Sequence, residues 1–217
     1  RRWPGFRPKP ALEKSRQGLR MCWRRTIWQD RGPPKSRPDG HTLVLASSGA
    51  IAKQQGFAVT GVDALMKTIG LTGAAFYSHF PSKDDLFVEL IERELRNSLS
   101  RLGGEPGEAG RDKLQRCLTA YLSLAHVEQP DKGCVLPTLG AEIARADERV
   151  RLRTEQQILQ LQSTWAEIIG DPQLAWTILA QCLGSLLLAR MMASQESRQQ
   201  VLGASLDMLE HTLKPVS

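Results

Sequence analysis

The stretch from Thr60 to Leu86, TGVDALMKTIGLTGAAFYSHFPSKDDL, restricts the fold more than any other part of this chain. Thr60 stands just before an apolar periodic run, where a side-chain oxygen can cap a helix start. Val62, Leu65, Met66 and Ile69 then recur at helical spacing. Gly70 ends that helix, because glycine takes the left-handed backbone at little cost. Thr72 is placed to cap a second helix, expected from Gly73 to about Phe80. Pro81 stops it, since proline donates no backbone hydrogen bond and disfavours helix at the residue before it. Ser82, with an acid three residues on at Asp85, starts a third helix. Two short helices across a glycine turn read as a helix-turn-helix, whose second helix is built to enter a DNA major groove.

The same residues carry a family resemblance. GLTGAAFYSHFPSKDDL resembles the end of the DNA-binding domain of TetR-type transcriptional regulators, and ASSGAIAKQQGFAVTGVDALMKTIG upstream fits the same domain. The resemblance runs from Thr42 to Leu95. It implies an all-α protein of about nine helices, a three-helix DNA-binding domain followed by a helical bundle. It also implies a cytoplasmic homodimer on a palindromic operator, with a small-molecule effector and most often repression.

Gly73, Ala74 and Ala75 fill the first turn of the recognition helix. Small residues let backbone approach DNA but offer no bidentate base contact, so DNA shape should carry much of the discrimination. Tyr77 and His79 match phosphate-contacting positions of the family. Lys83 adds a charge at a helix N-terminus. The expected DNA-binding residues are therefore Thr60, Thr72, Gly73, Ala74, Tyr77, His79 and Lys83. The first helix, Thr42 to Gln55, departs from the family pattern. It opens with His41-Thr42-Leu43 where Arg or Lys is common, and Ala52 replaces the usual aromatic. Gly49 sits mid-helix, at a cost of about 1 kcal/mol relative to Ala.

The chain has 217 residues and a net charge of +6, but the charge is uneven. Residues 1–40 hold twelve Lys and Arg against three acids, while the remainder is net acidic. A nucleic-acid argument from overall charge would thus rest on this tail alone. RGPPKSRPDG is a linker by composition, and the first methionine is Met21. The segment reads either as a basic arm for phosphates or as non-native sequence, and as a domain it is a tail that is disordered or not native. No signal peptide is apparent. The domain reading is tail 1–40, helix-turn-helix domain 41–88, and effector-binding and dimerisation domain 89–217.

Downstream, Ser82 to Leu102 is a long amphipathic helix that can couple the domains. Gly103 to Gly110 is a loop, and Arg111 to Val127 reads as one helix. Pro137 suits the first turn of the next, and Asp147 to Ile169 forms another. Asp171-Pro172 is a cap and first helical residue. Leu174 to Ala189 is apolar nearly all round. It is short for a bilayer, holds Gln181 and is followed by Arg190, so a helix buried in both core and dimer interface fits better than a membrane span. Gln199 to Leu213 is the last helix. By resemblance, 172–193 and 199–213 pair with their copies in the homodimer.

No Walker loop, G-x-S-x-G or H-E-x-x-H occurs, and the four histidines are scattered, so no catalytic residue, metal or cofactor is expected. Cys22, Cys117, Cys134 and Cys182 form no CxxC pair. Gly133-Cys134 ahead of a short helix resembles a TetR-type subgroup. A loop, a helix start and Lys132 around Cys134 make it a candidate thiol sensor. The effector pocket implied by the family draws its expected ligand-binding residues from converging helices: Tyr121, Cys134, Trp165 and Trp176. Two alternatives stand beside the regulator. One is a helical small-molecule or thiol sensor that has lost specific DNA binding. The other is a nonspecific DNA binder driven by the tail.

Overall fold

The computed structural model describes residues 39–102 and 110–213. Residues 1–38 of the basic segment and 103–109 of the loop read from sequence fall outside them. The described residues form ten α-helices and one 3-10 turn, with no strand, one more helix than expected.

Four helices build the N-terminal part. Helix α1, Gly40–Gln55, is capped by Asp39, whose carboxylate accepts from Thr42 N–H at 2.7 Å. That bond holds the Asp39 carboxyl below its usual range. The helix ends at Gly56, φ 91°. Helix α2, Val62–Lys67, is capped by Gly61 rather than Thr60. Thr60 is buried and donates its hydroxyl to Gly56 O at 2.6 Å, so it pins the turn between α1 and α2. Gly70, φ 74°, closes α2 as expected. Its N–H reaches Lys67 O and Leu71 N–H reaches Met66 O, the paired bonds of a Schellman motif. Helix α3, Gly73–Phe76, is shorter than the sequence suggested. Residues up to His79 continue as tight turns, with His79 and Phe80 N–H both on Phe76 O. Thr72 occupies the cap position, but its side chain makes no cap bond. Helix α4, Lys83–Leu102, opens on the expected Ser82 cap. Ser82 Oγ accepts from Asp85 N–H and donates to the Asp85 carboxylate.

The expected single helix at 111–127 is two, α5 (Gly110–Tyr121) and α6 (Leu124–Glu128). Ser123 is extended and caps α6 by accepting from His126 N–H, which ends α5 two residues earlier. A 3-10 turn, Pro130–Lys132, leads to α7, Leu136–Arg145. Helix α8, Glu148–Ile169, runs from the Asp147 cap to a left-handed Gly170. Helix α9, Pro172–Met191, starts at Asp171, whose carboxylate accepts from two backbone N–H groups. Helix α10, Gln195–Leu213, begins four residues before its expected start because Ser194 accepts from Ser197 N–H.

Two cores hold these helices. The first joins α1 to α4 with α7 through Phe76, Phe80, Leu86, Leu90, Leu139 and Ile143, so it crosses the 88/89 position. The second joins α5, α8, α9 and α10 around Leu118, Trp165, Ile178 and Leu186. Tyr121, Ile158 and Leu183 pack against both. Helix α9 spans 20 residues and is long and apolar enough to cross a membrane. It buries only one side here, through Ala175, Ile178, Cys182, Leu186 and Ala189. The expectation of burial on both sides thus describes half of what one protomer does.

Gly49 has a packing reason. A Cβ there would lie 3.0 Å from Glu94 Oε1, and Glu94 holds the buried ammonium of Lys53 one turn further along α1. Gly140 in α7 has open space around its missing Cβ. Gly140→Ala should raise stability by about 0.8–1 kcal/mol, the helix-propensity difference. Gly49→Ala should gain nothing or lose stability, because the carboxylate must shift off Lys53. Urea denaturation of both variants checks this, and an equal gain would show that Gly49 makes no room for the pair.

Candidate nucleic-acid interface

The recognition turn presents Thr72, Ala74 and Tyr77 to solvent, with Tyr77 66% exposed. Phe76 and Phe80 anchor it from beneath, fully buried, and Tyr77 stands edge-on to Phe76. These two phenylalanines contribute about 1.5–3 kcal/mol each through burial. Gly73 is small for an internal reason as well. A Cβ there would meet the Asp63 carboxylate of α2, so a larger residue would have to turn that side chain aside.

The remaining expected DNA contacts are partly engaged by the protein itself. Thr60 is buried under the turn and offers no surface to DNA, which corrects its place among the contacts. His79 is half-buried, its ring packed against Gly40 at the start of α1. Lys83 donates to Ala58 O at 3.0 Å and sits over the Phe57 ring, 4.8 Å from its centroid. A phosphate would have to compete with those partners. His41, at the position where the family commonly has a basic residue, stacks on Phe80 and lies 3.1 Å from Glu89.

Three polar links tie this surface to the rest of the fold. Glu142 of α7 accepts from Phe57 N–H at 3.1 Å and Ala58 N–H at 2.7 Å, holding the turn after α1 with charge-assisted bonds. Lys53 of α1 donates to Glu94 of α4 at 2.7 Å and to Gly133 O at 3.3 Å, ahead of α7. Arg149 of α8 bonds Asp85 at the start of α4 and also Asp147. Both carboxyls are held below their usual range, Asp85 chiefly by Ser82 and then Arg149, Asp147 chiefly by the Val150 N–H.

The expected ligand-binding residues separate. Trp165 is buried in the second core and Cys134 in the first, with Tyr121 at their seam. Trp176 is 40% exposed on the outer side of α9 and cannot line an interior pocket formed by this protomer, which corrects that assignment. Cys134 is buried rather than poised at a loop surface. Its backbone N–H donates to His126 Nε2, while His126 Nδ1–H donates to Tyr121 O, which fixes a neutral tautomer. The Lys132 ammonium donates to Gln129 Oε1. Burial, with Cys134 adding, pushes the neighbouring Cys182 thiol up to about 12.

Residues 45–90 match the family described as bacterial regulatory proteins, tetR family. The chain carries a TetR-family DNA-binding domain. Among relatives, the nucleoid occlusion factor SlmA of Marinomonas sp. is 29% identical over 139 residues, 63% of this chain and 68% of that protein. The SlmA of Vibrio cholerae is 31% identical over 51% of this chain and 56% of its own length. The HTH-type transcriptional regulator EthR of Mycobacterium tuberculosis is 28% identical over 40% of this chain and 43% of its own. The chain therefore spans about two thirds or less of the relatives it matches. Among solved structures, a TetR/AcrR-family regulator superposes with a TM-score of 0.68 at 22% identity, covering 82% of this chain and all of the other. The reduced form of NemR from E. coli gives 0.66 at 23%, covering 77% and 95%. The fold throughout the described residues is that of TetR-family transcriptional regulators.

Sequence reasoning missed Lys53, Glu94, Glu142, His126 and Arg190. Lys53 and Glu94 carried a usable signal, since both interrupt apolar faces: Lys53 beside Ala52, and Glu94 among Leu90, Ile91 and Leu95. Glu142 lies 84 residues from Ala58 along the chain, and no local pattern connects them.

Proposed function

We propose that the chain is a sequence-specific, ligand-released homodimeric repressor that acts in the cytoplasm on a palindromic operator. The observation that carries this reading is an exposed α3 surface whose supporting turn is gripped from α7. Thr72, Gly73, Ala74, Tyr77, His79 and Lys83 form the DNA surface, with Lys83 leaving Ala58 O for a phosphate. A ligand that favours a different α7 position would pull Glu142 on the Phe57–Ala58 turn and move both recognition helices relative to successive major grooves. DNA affinity then falls by population shift. Helix α4 remains a lever, joined now by the Glu142 and Lys53 links.

The test is fluorescence anisotropy of the full chain and of residues 39–217 on DNA from upstream of its own gene, at about 150 mM salt. A scrambled duplex of equal length runs beside it. Both proteins should prefer the native duplex by about a thousandfold, the low end for specific binders. Loss of nearly all binding in the shorter protein would favour a tail-driven nonspecific binder. Equal weak binding to both duplexes would favour the second reading, a sensor without specific DNA binding, for which the adjoining buried thiols Cys134 and Cys182 speak. Specific binding that leaves transcription unchanged would point instead toward a role like that in the name of the nucleoid occlusion relatives.

A further inference from the structure

Two donors lack an oxygen or nitrogen acceptor at the seam of the two cores. The hydroxyl of Tyr121, at the end of α5, is buried and has no oxygen or nitrogen acceptor; it faces only the Cys134 sulfur, a weak one. Arg190, in the last turn of α9, donates Nη1 to Thr138 Oγ1 at 2.7 Å and Nη2 to His126 O at 3.1 Å. Its Nε is buried and unpartnered. Among the described residues no Asp or Glu pairs with this guanidinium, whose partners are a hydroxyl and a carbonyl. A half-buried cation without a counter-charge and a buried hydroxyl with only a weak acceptor are both costly arrangements. The carbonyls at the C-terminus of α9 offset part of the charge but leave Nε unbonded.

The two groups share one neighbourhood. Burial raises the Tyr121 phenol well above its ordinary value, Cys134 adds by its charge and by weak hydrogen bonding, Cys182 adds by its charge, and Arg190 opposes the rise. Burial lowers Arg190, against the pull of Tyr121 and Cys134. Ile158 and Leu183, like Tyr121, pack against both cores.

We propose that this seam is the effector site and that it takes a small organic carboxylate, whose oxygens accept from Tyr121 Oη–H and Arg190 Nε–H while its apolar part lies on Ile158 and Leu183. This rests on the reading of a ligand-released regulator and names the class of ligand. Two single open donors suit a monoanionic carboxylate. A phosphate would ask for the Nη donors, which Thr138 and His126 already hold. The site also adjoins the Lys53 link, because His126, which accepts from Arg190 through its carbonyl, braces Cys134 N–H next to Gly133, whose carbonyl accepts from Lys53.

The experiment is thermal unfolding and calorimetry of the full chain with benzoate, hexanoate and indole-3-acetate, each beside its amide, and with choline as a cationic control. At least one acid should raise the Tm by about 2 °C or more at saturating concentration. Its amide and choline should not. Tyr121→Phe should weaken that acid about tenfold or more, the worth of a hydrogen bond to a charged group. The variant removes an oxygen whose only neighbour of hydrogen-bonding type is the weakly accepting Cys134 sulfur, so its own fold should be about as stable as the parent. Arg190→Met should abolish binding; should it fail to fold, Tyr121→Phe decides alone. No response to any acid, equal response to acid and amide, or unchanged affinity in Tyr121→Phe overturns the proposal. Anisotropy separates it from the regulator reading. Acid binding that leaves DNA affinity unaltered sustains the site and removes ligand release. Specific DNA binding without any acid response removes the site and keeps the regulator.

Discussion

Replacing Glu94 with leucine should cost the fold about 3–5 kcal/mol, the usual effect of removing one partner of a buried ion pair. Lys53 and Glu94 approach to 2.7 Å with side chains 5% and 12% exposed, so the ammonium left behind has little water to turn to. Its remaining partner is Gly133 O at 3.3 Å, a neutral acceptor at the long end of hydrogen bonding. The urea midpoint should fall with the slope unchanged, since the surface exposed on unfolding stays the same. The double variant Lys53→Met/Glu94→Leu should recover most of the loss, because both desolvation penalties vanish and the apolar stems remain. A Glu94→Leu cost below about 1 kcal/mol would mean that the ammonium escapes to solvent and that the pair is not a core element. The double variant carries a second reading. It lacks the bond from α1 to Gly133, so it should stay folded and bind DNA yet respond less to a ligand held at the Tyr121 seam.

This pair also marks the limit of what the chain reveals by itself. The helix-turn-helix was legible because each of its signals is local: Gly70 at positive φ, Pro81, and the Ser82 cap with its Asp85 partner act within a few residues. The recognition turn was legible for the same reason. Thr60 misled because a capping residue and a turn-pinning residue look alike one position apart, and the hydroxyl chose Gly56 O behind it over the helix ahead. Ser123 was overlooked because apolar periodicity runs straight through it, though a serine can close one helix and open the next. Trp176 shows the limit of composition. An aromatic on an apolar helix suits a pocket and an interface equally, and only the packing of α9 decides which side it takes. Lys53, Glu142 and Arg190 meet partners 41 to 85 residues away, and such pairings depend on the tertiary arrangement alone.

That outer side of α9 supports the other large effect. Leu187 and Met191 stand one turn apart and are 43% and 63% exposed, with Leu188 beside them and Met208 of α10 58% exposed. Such an apolar surface calls for a cover, and under the proposed homodimer a second copy of the chain would provide one and would also pair two recognition helices. The double variant Leu187→Glu/Met191→Glu should therefore be monomeric by sedimentation, against a dimeric parent. Its operator affinity should fall at least a hundredfold, because joining two modules strengthens binding by about 10²–10⁴. Its helical content should hold, since both side chains already face outward in the protomer. A membrane-facing α9 would give a different result: the parent would partition into lipid vesicles and the glutamates would release it, with no change of stoichiometry in solution. A variant that stays dimeric and keeps its operator affinity would exclude this surface as the contact between copies. The exposed leucines and methionines would then need another partner, and the two recognition helices another means of being held at the spacing of a palindrome.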